Sequence, residues 1–123
     1  MNRARPVHLN LFAFRFPIPA IVSILHRVSG AILFLCIPLA LWAFDYSLTP
    51  DGYEALHDWR GSFFIKLIIW GMLAAFLFHL VAGIRHLFAD IHMGTTLAGG
   101  RITSKAVFVV AGILIVLAGI WLW

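Results

Sequence analysis

Three long apolar runs, separated by short polar stretches, predict three membrane-spanning helices, since about 20 apolar residues suffice to cross a bilayer. The first helix is expected from about Pro19 to Phe44. Pro19 suits its first turn, where the missing N–H is not needed. Ser23, His26 and Arg27 make the first two turns polar, and the apolar span proper begins near Val28. Pro38 falls inside this helix and predicts a kink. Ser29, Gly30 and Ala31 are small and allow another helix to approach closely. The second helix is expected over about 63–89 and the third over about 105–123, ending in Trp121 and Trp123 as interfacial anchors. Residues 1–18 are mixed, and Pro6 and Pro17 break regular structure there. The first loop, Asp45–Ser62, has room for a short surface helix around Tyr53–Trp59. The second loop, Asp90–Ser104, contains Gly94, Gly99 and Gly100.

Composition agrees with an all-α integral membrane protein. Of 123 residues, 63% are hydrophobic and 11% charged, which leaves no material for a soluble domain beside the spans. Residues 1–123 are therefore expected to form one membrane domain. The net charge of +4 reflects topology rather than nucleic-acid binding. Arg3, Arg5, Arg15 and Arg27 lie on the N-terminal side, and Arg85, Arg101 and Lys105 flank the second loop. The first loop carries Asp45, Asp51, Glu54 and Asp58 against Arg60. The positive-inside rule then places the N-terminus and second loop in the cytoplasm. No cleavable signal is evident. With Cys36 as the single cysteine, this chain alone builds no disulfide, Cys-ligated iron–sulfur cluster or zinc motif.

The polar residues inside the spans carry the candidate chemistry. From Phe63 to Phe88 the strongly polar side chains are Lys66, His79, Arg85 and His86. Arg85 and His86 can sit at the membrane surface. His79 lies about 10 Å deeper, two helical turns before His86. An imidazole among Phe76, Phe78, Leu80 and Val81 needs a partner. It is either a neutral histidine bonded to a neighbouring helix or an axial ligand to haem iron. Gly83, one turn on, would let a flat macrocycle approach the backbone. His79 and His86 cannot both hold one iron, because axial ligands face each other across the macrocycle. His26 is expected to lie too shallow, so a second axial ligand would come from a partner chain.

Ser23 and Arg27 are four apart and share a helix face. A hydroxyl and a guanidinium at the membrane edge suit a quinone, whose ring oxygens want donors and whose tail wants lipid. Alternatively, Arg27 snorkels to the headgroups and Ser23 bonds back to its own helix. Asp90, four after His86, is either a proton-handling carboxylate or an ordinary helix end. The chain has no GxGxxG, no P-loop, no nucleophile with a base and no metal-binding carboxylate cluster. A single deep ionisable residue argues against a proton-relay transporter.

Three segments resemble the cytochrome b membrane-anchor subunits of succinate dehydrogenase, respiratory complex II. They are Arg5-Pro6-Val7-His8-Leu9, Ser23-Ile24-Leu25-His26-Arg27-Val28-Ser29-Gly30 and His79-Leu80-Val81-Ala82-Gly83-Ile84-Arg85-His86-Leu87-Phe88-Ala89-Asp90. The two long motifs are specific and stand in the family's order. The resemblance implies a three-helix anchor within a heteromeric helical bundle in a bacterial inner membrane. It implies a second small anchor, an iron–sulfur subunit and a flavoprotein subunit as partners. His79 matches the axial haem b ligand, with the other axial histidine on the second anchor. Ser23 and Arg27 match the ubiquinone site, and His26, Arg27 and His86 fall where haem propionates are neutralised. The chain would have no independent activity. An anchor of a quinol:fumarate reductase and a cofactor-free structural anchor are the competing functions.

Overall fold

The computed structural model describes residues 13–123, so the Arg5–Leu9 motif lies outside the described residues. Four helices follow one another: α1 (Ile18–Ser47), α2 (Pro50–Trp59), α3 (Phe63–Asp90) and α4 (Leu97–Leu122). All but α2 are long and apolar enough to cross a membrane. Pro17 and Pro19 bracket the start of α1, and Pro38 lies inside it without ending it. A membrane helix tolerates such a proline because neighbouring groups take up the freed carbonyl.

The short surface helix expected in the first loop is α2. Thr49 caps it, its side chain accepting from the Gly52 N–H at 3.1 Å. Pro50 stands at the first position and Asp51 in the first turn, where negative charge suits the helix dipole. Gly52 is required: a Cβ there would run into the carbonyl of Tyr46.

α3 is the central helix and packs against both α1 and α4. The three spans meet at a small core of Val22, Ala82 and Val107, with Phe78 and Val81 packed on it. Most other large apolar side chains point outward, Leu35 at 74% exposure and Trp121 at 80% among them. Outward-facing apolar groups are the ordinary state of a membrane helix, for which lipid is as good a solvent as protein. Packing alone therefore gives weak register, and polar contacts matter. Between α3 and α4, the Trp70 indole Nε1 donates to the Ile115 carbonyl at 2.9 Å.

α4 begins at Leu97, not near Lys105 as the polar pattern suggested. Thr96 caps it, accepting from the Gly99 N–H at 3.0 Å. The hydroxyls of Thr103 and Ser104 bond back to the carbonyls of Gly99 and Gly100, at 2.9 and 2.7 Å. Polar side chains that read as a loop thus serve the first turns of a helix. The turn from α3 is tight: the Met93 N–H reaches the Phe88 carbonyl at 3.0 Å. His92 adopts a φ of 63° there, a left-handed conformation more often given to glycine.

Candidate functional site

The polar chemistry of the spans gathers where the first half of α1 crosses the second half of α3. His79 is half-buried there. Its Nδ1 lies 3.0 Å from the His26 carbonyl oxygen and 3.1 Å from Ser29 Oγ. Ser29 Oγ itself donates to that same carbonyl at 2.9 Å. A carbonyl oxygen only accepts, so Nδ1 carries the proton and donates to it. A neutral imidazole with its proton on Nδ1 presents a lone pair at Nε2, the form in which an imidazole ligates a metal. Among the described residues Nε2 has no hydrogen-bond partner.

Gly30 faces the same ring. A Cβ at position 30 would sit 2.9 Å from His79 Cε1, so the absence of a side chain makes room for the imidazole. Below it, Gly30, Leu33, Phe34, Cys36, Met72 and Phe76 help line a groove of about 400 Å³ that His79 closes at one end. Gly83 does not play the expected part. A Cβ there would lie 3.5 Å from His26 Nε2, so Gly83 backs His26 rather than an open space beside His79.

His26 lies within stacking reach of His79, nearer than counting residues along single helices suggested. Their rings stack with centroids 4.1 Å apart and planes at 18°. His86 meets the other side of the cluster, its centroid 5.0 Å from that of His26 at 44°. The three histidines therefore form a short column from the groove toward the end of α3. The His26 ring lies face to face on that of His79, not end-on across a gap.

The remaining candidates divide. Ser23 is half-buried and Arg27 exposed on the first turns of α1. They share a helical line with Gly30, Phe34 and Ile37, so the α1 wall of the groove continues up to both. Arg85 does not join the histidines. It turns to α4, where its Nε donates to Thr103 Oγ1 at 3.3 Å. Asp90 ends α3 and is exposed. The residues that sequence reasoning missed are Ser29 and Gly30, which were read as packing residues. Their signal was present: both stand on the α1 side facing His79, three and four positions after His26.

This arrangement defines a multi-pass membrane protein whose polar groups converge on one anchored imidazole at a helix–helix interface. The chain belongs to the family of succinate dehydrogenase/fumarate reductase transmembrane subunits, whose family model matches residues 1–118. It is 47% identical, over 125 aligned positions covering 100% of both chains, to the succinate dehydrogenase cytochrome b556 subunit of Coxiella burnetii. The cytochrome b556 subunit of Paracoccus denitrificans is 34% identical over 95% of this chain and 92% of its own. That of Rickettsia bellii is 33% identical over 97% and 90%.

Proposed function

We propose that this chain is the haem b-binding membrane anchor of a bacterial succinate:quinone oxidoreductase and forms part of its ubiquinone reduction site. The observation that carries this is the His79 side chain, fixed through Nδ1 to the His26 carbonyl, with Nε2 free of hydrogen-bond partners among the described residues. The residues present fit a haem. An oriented imidazole, a glycine that clears its ring and an apolar groove are what a flat, largely apolar macrocycle requires. His79 would hold the iron, and His26, Arg27 and His86 would neutralise the propionates. When bound, haem supplies a one-electron redox centre close to the quinone.

The groove is open on the side where Phe34 and Phe76 are exposed, at 71% and 50%. A second small membrane anchor would close it and would supply a further histidine to the iron. Iron–sulfur and flavoprotein subunits complete the enzyme; the relatives, each named as a subunit of succinate dehydrogenase, support a multi-subunit assembly. The chain lies in the inner membrane with its N-terminus in the cytoplasm, where electrons arrive. Ser23 donates to one quinone oxygen. Arg27 stabilises the negative charge that builds on the oxygens as the quinone is reduced.

The test is His79→Leu in the assembled complex. The low-spin, bis-imidazole spectrum should be lost while the chain still inserts. An unchanged reduced spectrum would remove His79 as ligand and leave its bond to α1 as a purely structural contact.

A further inference from the structure

A second groove, of about 350 Å³, lies between α3 and α4 on the face away from the histidines. Toward the turn that joins the two helices it is lined by Phe88, Ala89, Met93 and Gly94, and its polar groups are Arg85 and Thr103. From there Val81, Ile84, Val107 and Val110 lead along both helices into the span. Arg85 is half-buried, and its Nε is committed to Thr103 Oγ1 at 3.3 Å. That bond aims the guanidinium and leaves its two terminal amino groups to other partners. No carboxylate lies within ion-pairing distance of it among the described residues. Asp90 is the single acid at this membrane edge, against Arg15, Arg27, Arg85, Arg101 and Lys105.

We propose that this groove seats a phospholipid with an anionic headgroup, its phosphate on the Arg85 guanidinium and one acyl chain along Val81, Ile84, Val107 and Val110. A planar fork of N–H donors matches phosphate oxygens two at a time. The surrounding positive charge favours an anionic over a zwitterionic headgroup, and basic pockets between spanning helices are a usual place for such lipids. A phosphate neutralises the guanidinium charge, which a neutral quinone does not.

The purified complex is stripped of lipid in a non-ionic detergent and titrated with dioleoyl-phosphatidylglycerol or dioleoyl-phosphatidylcholine. Bound lipid is counted by native mass spectrometry. Wild-type complex should hold one more phosphatidylglycerol than phosphatidylcholine per copy of this chain. Arg85→Gln should weaken that tightest phosphatidylglycerol by about tenfold or more, because a charge-assisted hydrogen bond is lost. Ala106→Phe fills the groove, keeps every charge, and should expel the same lipid; it carries the test if Arg85→Gln does not assemble. Equal counts of the two lipids in wild type would overturn the proposal. So would a phosphatidylglycerol count that Ala106→Phe leaves unchanged, whether the variant instead loses a bound quinone or nothing, as expected if a partner subunit covers the groove.

Discussion

Gly30→Ala tests the site without touching a chemical group. The new Cβ would lie 2.9 Å from His79 Cε1 and 3.4 Å from its Nδ1. A ring tip usually yields to such pressure at little cost, but this one is held. Its Nδ1 is bonded to the His26 carbonyl at 3.0 Å, and its face is stacked on His26 at 4.1 Å. Replacing a helical glycine by alanine would by itself gain about 1 kcal/mol. Overpacking costs about 1–3 kcal/mol, and loss of the Nδ1 bond adds about 1 kcal/mol. The net should be a destabilisation of about 1–3 kcal/mol. Gly71 and Gly112 serve as controls, because a Cβ at either meets nothing within 4 Å. The assay heats the purified complex briefly and measures the intact fraction by size-exclusion chromatography, with the haem band followed in parallel. Gly30→Ala should lower the half-loss temperature by several degrees and broaden or shift the haem band. Gly71→Ala and Gly112→Ala should leave both unchanged or raise the temperature slightly. If Gly30→Ala behaves like the two controls, His79 is not held as described.

Arg27→Leu should cut succinate–quinone turnover by about 10- to 100-fold, the worth of a charge-assisted hydrogen bond felt in the transition state. Reduction of a water-soluble dye upstream should stay near wild type; a proportional loss of both activities would make Arg27 an assembly residue. The proposed topology is checked by impermeant thiol labelling of Glu54→Cys in Cys36→Ala protein, which should react from outside in intact cells. Gly52 is a poor site for that probe, because a side chain there meets the Tyr46 carbonyl. His92→Gly relieves a left-handed non-glycine residue and should stabilise the α3–α4 turn by about 1 kcal/mol, read as a higher half-loss temperature. A lower temperature would show that the His92 side chain contributes more than its backbone costs.

The spans were legible because apolar runs of this length admit few other structures in so small a chain. The start of α4 was not. Gly99, Gly100, Thr103 and Ser104 have loop-like chemistry, and their role in the first helical turns depends on Thr96 as cap and on back-bonding to glycine carbonyls. At the candidate site, residue type alone singled out His79, since an imidazole that deep needs a partner. Which partner it takes depends on how α1 and α3 cross, and residue counting along single helices does not give that. For the same reason the stacking of His26 on His79 and the bond from Arg85 to Thr103 were not foreseen. Ser29 and Gly30 matter through one carbonyl and one missing Cβ, neither of which shows as a hydrophobic pattern.

Trp70 and His79 stand about two and a half turns apart along α3, and so on opposite sides of it. Each donates one hydrogen to a backbone carbonyl of a different neighbour, Trp70 to Ile115 of α4 and His79 to His26 of α1. In lipid, apolar surfaces slide past one another with little change in energy. Two donors on opposite sides, at different heights, remove both freedoms. Rotating α3 about its axis, or shifting it by one residue, breaks both bonds together. The helix is thus indexed like a key cut on two edges, and the depth and heading of the His79 ring are set by contacts within this chain.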